Sequence, residues 1–119
     1  AGSNDADEVA WYAGNIKKMS HAVGNKSPNK LGLFDMSGNV WEWCWDWYSD
    51  SFYGSSPKTN PAGPDENSYV PAKSSYKVRR GGSWNYGADG CRTTFRYMGV
   101  PAFHSYDIGF RVVRTAISK

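Results

Sequence analysis

A chain of 119 residues with a formal net charge of +3 bounds one domain, able to hide roughly two thirds of its unfolded surface around a single core. Aromatic residues make up 16% of it and long aliphatics are sparse, so the core has to be built from Trp, Tyr and Phe, whose polar edges need partners. The small, dispersed charge argues against a nucleic-acid partner, two cysteines cannot make a disulfide framework, and no apolar run is long enough for a transmembrane helix.

Residues 1–7 are small and acidic and are expected to fray, leaving 8–119 as a single domain. "DEVAWYAGN" offers Asp7, or Asp5 before it, as a cap, and Val9, Ala10 and Tyr12 as a short apolar face. Gly14 and Asn15 then stop it, which predicts the last turn or two of a helix. Residues 16–33 carry turn signals at Gly24-Asn25, Ser27-Pro28-Asn29 and Gly32. "SSPKTNPAGPDENS" makes 49–75 a surface excursion without regular structure. Strands fall where those signals stop, at about 41–45, 76–81, 92–97 and 108–115; in the last, Ile108, Phe110 and Val112 share one face. Lys73, Lys77, Arg79 and Arg80 form a local cation cluster, read as a solvated strand edge over a phosphate contact.

In "LFDMSGNVWEWCWDWY", Trp41, Trp43, Trp45 and Trp47 alternate with Glu42, Cys44 and Asp46, the pattern of an aromatic-cored strand with a polar far face. Asp35 and Glu42 flank Gly38, so a curled backbone can aim two carboxylates and the carbonyls between them at one point, a set of hard oxygens suited to calcium. Carboxylates that cap backbone amides would satisfy the same spacing. Cys44 and Cys91 fit either two buried thiols or one disulfide, and alone they cannot complete a zinc site.

Four separated motifs, "GLFDMSGNVWEWCWDWY", "RRGGSW", "CRTTFR" and "IGFRVV", occur in an order that resembles the C-terminal part of the formylglycine-generating enzyme and sulfatase-modifying factor family, from about Glu8 to Arg114. The resemblance implies an α+β, C-type lectin-like fold of that type, with long loops and small antiparallel sheets. It makes "EVAWYAGN" the end of the second helix and sets the usual preceding strand and first helix outside this sequence. It also implies calcium beside "GNVWEW", held by the side chains of Asp35 and Glu42 and the carbonyls of Gly38 and Val40.

The family's enzymes use two cysteines shortly after "GGSW" to hold copper. Tyr86 stands at the position of the first, and Cys91 belongs to the later arginine motif, so copper and catalysis are not expected. The sulfur-transferring iron oxygenases of the superfamily take histidine ligands from an upstream domain; this chain has only His21 and His104. An enzyme-family relative or fragment whose catalytic residues are absent or lie outside the chain remains the alternative.

From Asn85 to Asp107 Tyr, Phe, His, Asp, Gly, Ser, Ala and Val recur in no structural period, among stiff anchors: Gly81 and Gly82 at a tight turn, Trp84 in the core, Arg92 and Arg96 expected on carboxylates or carbonyls, and Gly109. So many large rings are rarely spent on an idle loop, and Tyr beside small polar residues is the composition of an adaptable binding surface. The stretch resembles the lectin-like variable proteins of diversity-generating retroelements, in which asparagine codons are randomised at their adenines between invariant "GGSW", "CR" and "GFR". Such codons cannot give Trp, Glu, Gln, Lys or Met, and only Met98 departs from that rule here. The resemblance implies a non-enzymatic ligand-binding protein displayed at a bacterial cell surface, secreted, or on a phage. Tyr86, Asp89, Phe95, Tyr97, Val100, Phe103, His104, Tyr106 and Asp107 are the expected ligand-binding residues, for a protein or other macromolecule, with a glycan as the lesser choice.

Overall fold

The Asp5 carboxylate accepts the Asp7 N–H at 2.9 Å and starts a single helical turn, α1, Ala6–Val9. The structure, a computed structural model, describes residues 2–16, 18–64 and 76–114. The turn ends sooner than the sequence predicts, because Ala10 and Trp11 open into strand β1 and pair in parallel with β2, Ser37–Gly38. Burial decides it: Val9 and Ala10 are 6% and 0% exposed, and an isolated turn of helix has little stability of its own. Asn15 closes the segment by accepting the Tyr12 N–H and donating to the Ala10 carbonyl and the Asp7 carboxylate.

Between β2 and the next strand the backbone takes two left-handed residues, Gly38 at φ 75° and Asn39 at φ 64°. Gly38 N–H donates to the Gly81 carbonyl at 2.6 Å, and a Cβ at Gly38 would strike the Trp11 backbone. Asn39, 5% exposed, donates its N–H to the Trp11 carbonyl and accepts the Trp84 N–H on its own carbonyl. Its side-chain amide bonds both backbone groups of His21, at 3.0 and 3.1 Å.

A four-stranded sheet follows, ordered β5-β4-β3-β6. Strand β3 is Trp41–Trp47, β4 is Lys77–Arg80, β5 is Tyr97–Gly99 and β6 is Ile108–Gly109. β3 runs antiparallel to β4 and parallel to β6, so this sheet is mixed and the β1–β2 pair parallel where small antiparallel sheets were expected. The core is small, and its two largest residues are aromatic: Val9, Ala10, Trp41, Val78 and Trp84.

Five further expectations change. The tryptophan face is broken, because the β3–β4 register shifts between Trp43 and Trp47; Trp41 stays 3% exposed while Trp45 turns out to 89%. The cation cluster is not a solvated edge: β4 lies inside the sheet, Arg79 is 7% exposed and Val78 beside it 0%, while Lys73 lies outside the described residues. The strand expected at 92–97 lies at 97–99, because a turn in which Phe95 N–H bonds the Arg92 carbonyl occupies the start, held by Arg80 on the Thr93 carbonyl. The strand expected at 108–115 keeps only β6. Phe110 and Val112, 75% and 86% exposed, have no sheet partner among the described residues, and residue 115 lies outside them. The excursion at 49–75 holds one turn of helix, α2, Phe52–Ser55, and 65–75 lie outside the described residues.

Gly38 and Gly32 share a φ of 75°, but only Gly38 has backbone against its missing Cβ. Gly32→Ala is expected to cost about 1 kcal/mol, for backbone strain alone, and Gly38→Ala about 3 kcal/mol or more, as the β1–β2 pairing is forced apart. Urea unfolding of both variants measures the difference; equal midpoints would remove the Gly38 contact from the account.

Candidate functional site

Two left-handed glycines release the chain from β4: Gly81 at φ 93° and Gly82 at φ 79°, the second pressed so closely on Cys91 and Gly90 that a Cβ would not fit. Ser83, fully buried, then donates its hydroxyl to the Asp107 carboxylate at 3.2 Å, and Trp84 seats in the core at 8% exposure. The two ends of the irregular stretch are thereby tied together. The Asp107 carbonyl also accepts the Trp41 N–H at 2.8 Å, which fixes the far end to the first residue of β3.

Inside these ties, three of the expected residues gather on Trp41. Tyr86 meets it edge-on with ring centres 5.3 Å apart, Tyr97 stacks at 5.5 Å and Phe95 lies tilted at 6.0 Å. Phe95 and Tyr97 stack in turn at 6.4 Å. Aromatic pairs of this kind contribute about 0.5–1.5 kcal/mol each beyond the area they bury. Tyr86 and Phe95 are half-buried supports, and Tyr97, at 39% exposure, brings the cluster to the surface.

Past β5, the loop 100–106 presents Val100, Phe103 and Tyr106 at 46%, 53% and 80% exposure, with His104 exposed beside them and without a hydrogen-bond partner among the described residues. Val100 and Phe103 both face outward. The loop is turned by its own backbone, Phe103 N–H to the Val100 carbonyl at 2.8 Å and Ile108 N–H to the Ser105 carbonyl at 3.2 Å. Tyr106 stacks over Trp84 at 6.0 Å.

Two expected residues have other surroundings. Asp107 is half-buried and spends its carboxylate on Ser83. Asp89, exposed, sits in the 3-10 turn Ala88–Cys91, where its carbonyl accepts the backbone and Nε hydrogens of Arg92. A cavity of about 740 Å³ between the N-terminal turn, Asn29–Leu31 and Cys91–Thr94 includes none of the expected residues.

Sequence reasoning missed Arg79. Its guanidinium lies over three rings, those of Trp43, Tyr97 and Phe103, at 5.2, 5.1 and 5.8 Å, and donates to the Met98 carbonyl at 3.0 Å. Burial lowers its pKa from the ordinary guanidinium value, with the charge of Asp107 opposing, and it stays protonated. What places it there is the strand register, which sets Arg79 opposite Trp43 and which no local sequence signal gives.

The expected calcium ligands stand elsewhere on the fold. Arg111 donates to both oxygens of Glu42 and to the carbonyls of Phe34 and Asp35, and the Asp35 carboxylate accepts the Gly24 N–H at 2.7 Å. Arranged so, the set does not fit a metal ion unless Arg111 withdraws from Glu42. Both thiols are free and half-buried; burial pushes Cys44 up to about 11 and raises Cys91 as well. Among the described residues no group of three His, Cys, Asp or Glu side chains could hold a metal, and no helix is long and apolar enough to cross a membrane.

A family model for the sulfatase-modifying factor enzyme 1-like domain matches residues 3–116. Serine/threonine-protein kinase pkn1 of Chlamydia pneumoniae is 40% identical over 73% of this chain and 13% of its own length. The formylglycine-generating enzyme of Streptomyces coelicolor is 37% identical over 79% of this chain and 29% of its own. Among solved structures, Treponema denticola variable protein 1 superposes with a TM-score of 0.72 at 37% identity, over 92% of this chain and 38% of that one. The chain therefore spans well under half the length of each of these relatives, which include an enzyme and a variable protein on one scaffold. With its glycine turns, tryptophan strand and lectin-like mixed sheets, the chain belongs to the sulfatase-modifying factor enzyme 1-like family.

Proposed function

We propose that this chain is a ligand-binding module whose exposed aromatic loop, carried on a C-type lectin-like scaffold, is the diversified part. The observation that carries the reading is the pairing of a backbone fixed by its own hydrogen bonds with a run of exposed side chains. Tyr97, Val100, Phe103, His104 and Tyr106 are exposed, while the backbone beneath them is held by its own hydrogen bonds. Similarity to a protein named as variable supports it. Tyr and Phe would displace water over an apolar patch while His104 and the loop carbonyls supply directional contacts to a protein ligand, a glycan being the alternative. The proposal sets the display at a bacterial cell surface or in a secreted product, with a phage as the other carrier.

The second reading, an enzyme relative whose chemistry lies outside this chain, is favoured by the identity to a formylglycine-generating enzyme. Neither reading asks for a working thiol in this chain. Cys44, its pKa pushed by burial to about 11, is expected to react with iodoacetamide at pH 8 on the order of a hundredfold more slowly than an unfolded cysteine. Alkylation as fast as in the unfolded protein would remove the burial of that thiol from the account.

The diversified face is tested by sequencing the gene deeply across a culture population over codons 79–111. Substitutions confined to adenine-templated positions between "GGSW" and "GFR", with an invariant repeat nearby, are the expected result; a clonal sequence without a repeat would leave a fixed surface.

A structural calcium ion at Asp35, Gly38, Val40 and Glu42 enters the proposal only as a competitor of Arg111. It predicts a rise in melting temperature with calcium that Asp35→Ala removes. Identical melting curves in calcium and in chelator would leave Arg111 as the cation of that site.

A further inference from the structure

Arg79 is a buried charge with no ion-pair partner among the described residues. It is 7% exposed, its Nε has no hydrogen-bond partner, and no carboxylate lies within ion-pair distance of it among the described residues. Asp107, whose charge it feels, spends its carboxylate on Ser83. Stacked rings attract a guanidinium but do not neutralise it, and an unpaired charge withdrawn from water is among the most costly groups a protein holds. The neighbours are shaped around it: a Cβ at Gly99 would stand 3.0 Å from Nε and 3.2 Å from Cζ. On another side its cover is Phe103, which is 53% exposed and carried by a loop without regular structure. The charge is thus separated from solvent at that point by a half-exposed side chain.

We propose, resting on the aromatic surface being a binding face, that Arg79 is its specificity-determining residue and that the face takes an acidic side chain of a protein ligand, whose carboxylate pairs with the guanidinium when Phe103 turns aside. The planar fork of arginine suits a carboxylate, and the surrounding Trp43 and Tyr97 exclude water from the pair. An acidic ligand supplies the missing countercharge, so the face prefers it over a neutral one of equal shape.

The probes are benzoate and its neutral isostere benzamide, titrated into the intact protein and followed by tryptophan emission and by the Arg79 Nε–H resonance. Benzoate is expected to act saturably, to shift that resonance, and to bind about tenfold or more tightly than benzamide, as a charge-assisted hydrogen bond requires. Phe103→Ala should strengthen benzoate binding several-fold by removing the cover, and Arg79→Met should abolish the preference. Should Arg79→Met fail to fold, the Phe103→Ala comparison decides alone, because that ring is exposed. Equal binding of the two probes, with the loop aromatics shifting, overturns the carboxylate assignment and leaves the aromatic face standing. A benzoate response that bypasses the Arg79 resonance, or no response, overturns it as well.

Discussion

Everything else in this fold depends on the left-handed pair Gly38-Asn39. In two residues it joins β1, the His21 loop, the Gly81 turn and Trp84, mostly through backbone groups that would otherwise be buried without partners. Asn39 spends its N–H, its carbonyl and both ends of its side-chain amide on four separate bonds, and no other side chain of similar size can donate and accept in that geometry. Glycine is needed beside it because the Trp11 backbone occupies the space of a Cβ. A chain with so few aliphatic residues holds itself together at a junction of hydrogen bonds as much as by an oily centre.

Around that junction the aromatic residues work as layers. Trp41 is the floor on which Tyr86, Phe95 and Tyr97 are laid, and Arg79 slides between Trp43 and the outer rings. Arginines at the margin bind carbonyls: Arg96 to Ser49, Arg80 to Thr93, Arg111 to Phe34 and Asp35. Cations thus replace regular pairing in joining long loops to a short sheet, and each joins segments far apart in sequence.

Much of this was legible in the sequence where a residue type has one physical use. The "GGSW" turn and the buried Trp84 follow from backbone freedom and size and stand as expected; of the alternatives left open, the structure takes carbonyls over carboxylates for Arg92 and Arg96, and Asp5 over Asp7 as the cap. What was not legible depended on partners distant in sequence. Nothing local in "WEWCWDW" says that the register against β4 slips and turns Trp45 outward, and nothing in "KVRR" says that β4 lies inside the sheet with Arg79 buried. Period two in "IGFRVV" predicted a half-buried strand, but alternation is only a capacity to pair, and beyond Gly109 the described structure offers no partner. At the candidate site, the composition identified the aromatic stretch, yet only the ring geometry separates supports such as Tyr86 from presented groups such as Phe103. Asp107 illustrates the limit: a carboxylate on a binding loop and a carboxylate holding Ser83 look alike in one dimension.

The loop between Val100 and Ser105 is shaped by bonds from main chain to main chain, Phe103 to Val100 and Ile108 to Ser105, with no side chain of Val100, Phe103 or His104 in the hydrogen-bonded frame. Exchanging one of those side chains removes a ring or an imidazole and leaves the loop's path intact. A substitution at these positions therefore leaves the hydrogen bonds that shape the loop in place. Gly38 and Asn39 admit few alternatives while the outer loop asks little of its side chains, and that asymmetry lets the outer surface change at small cost to folding.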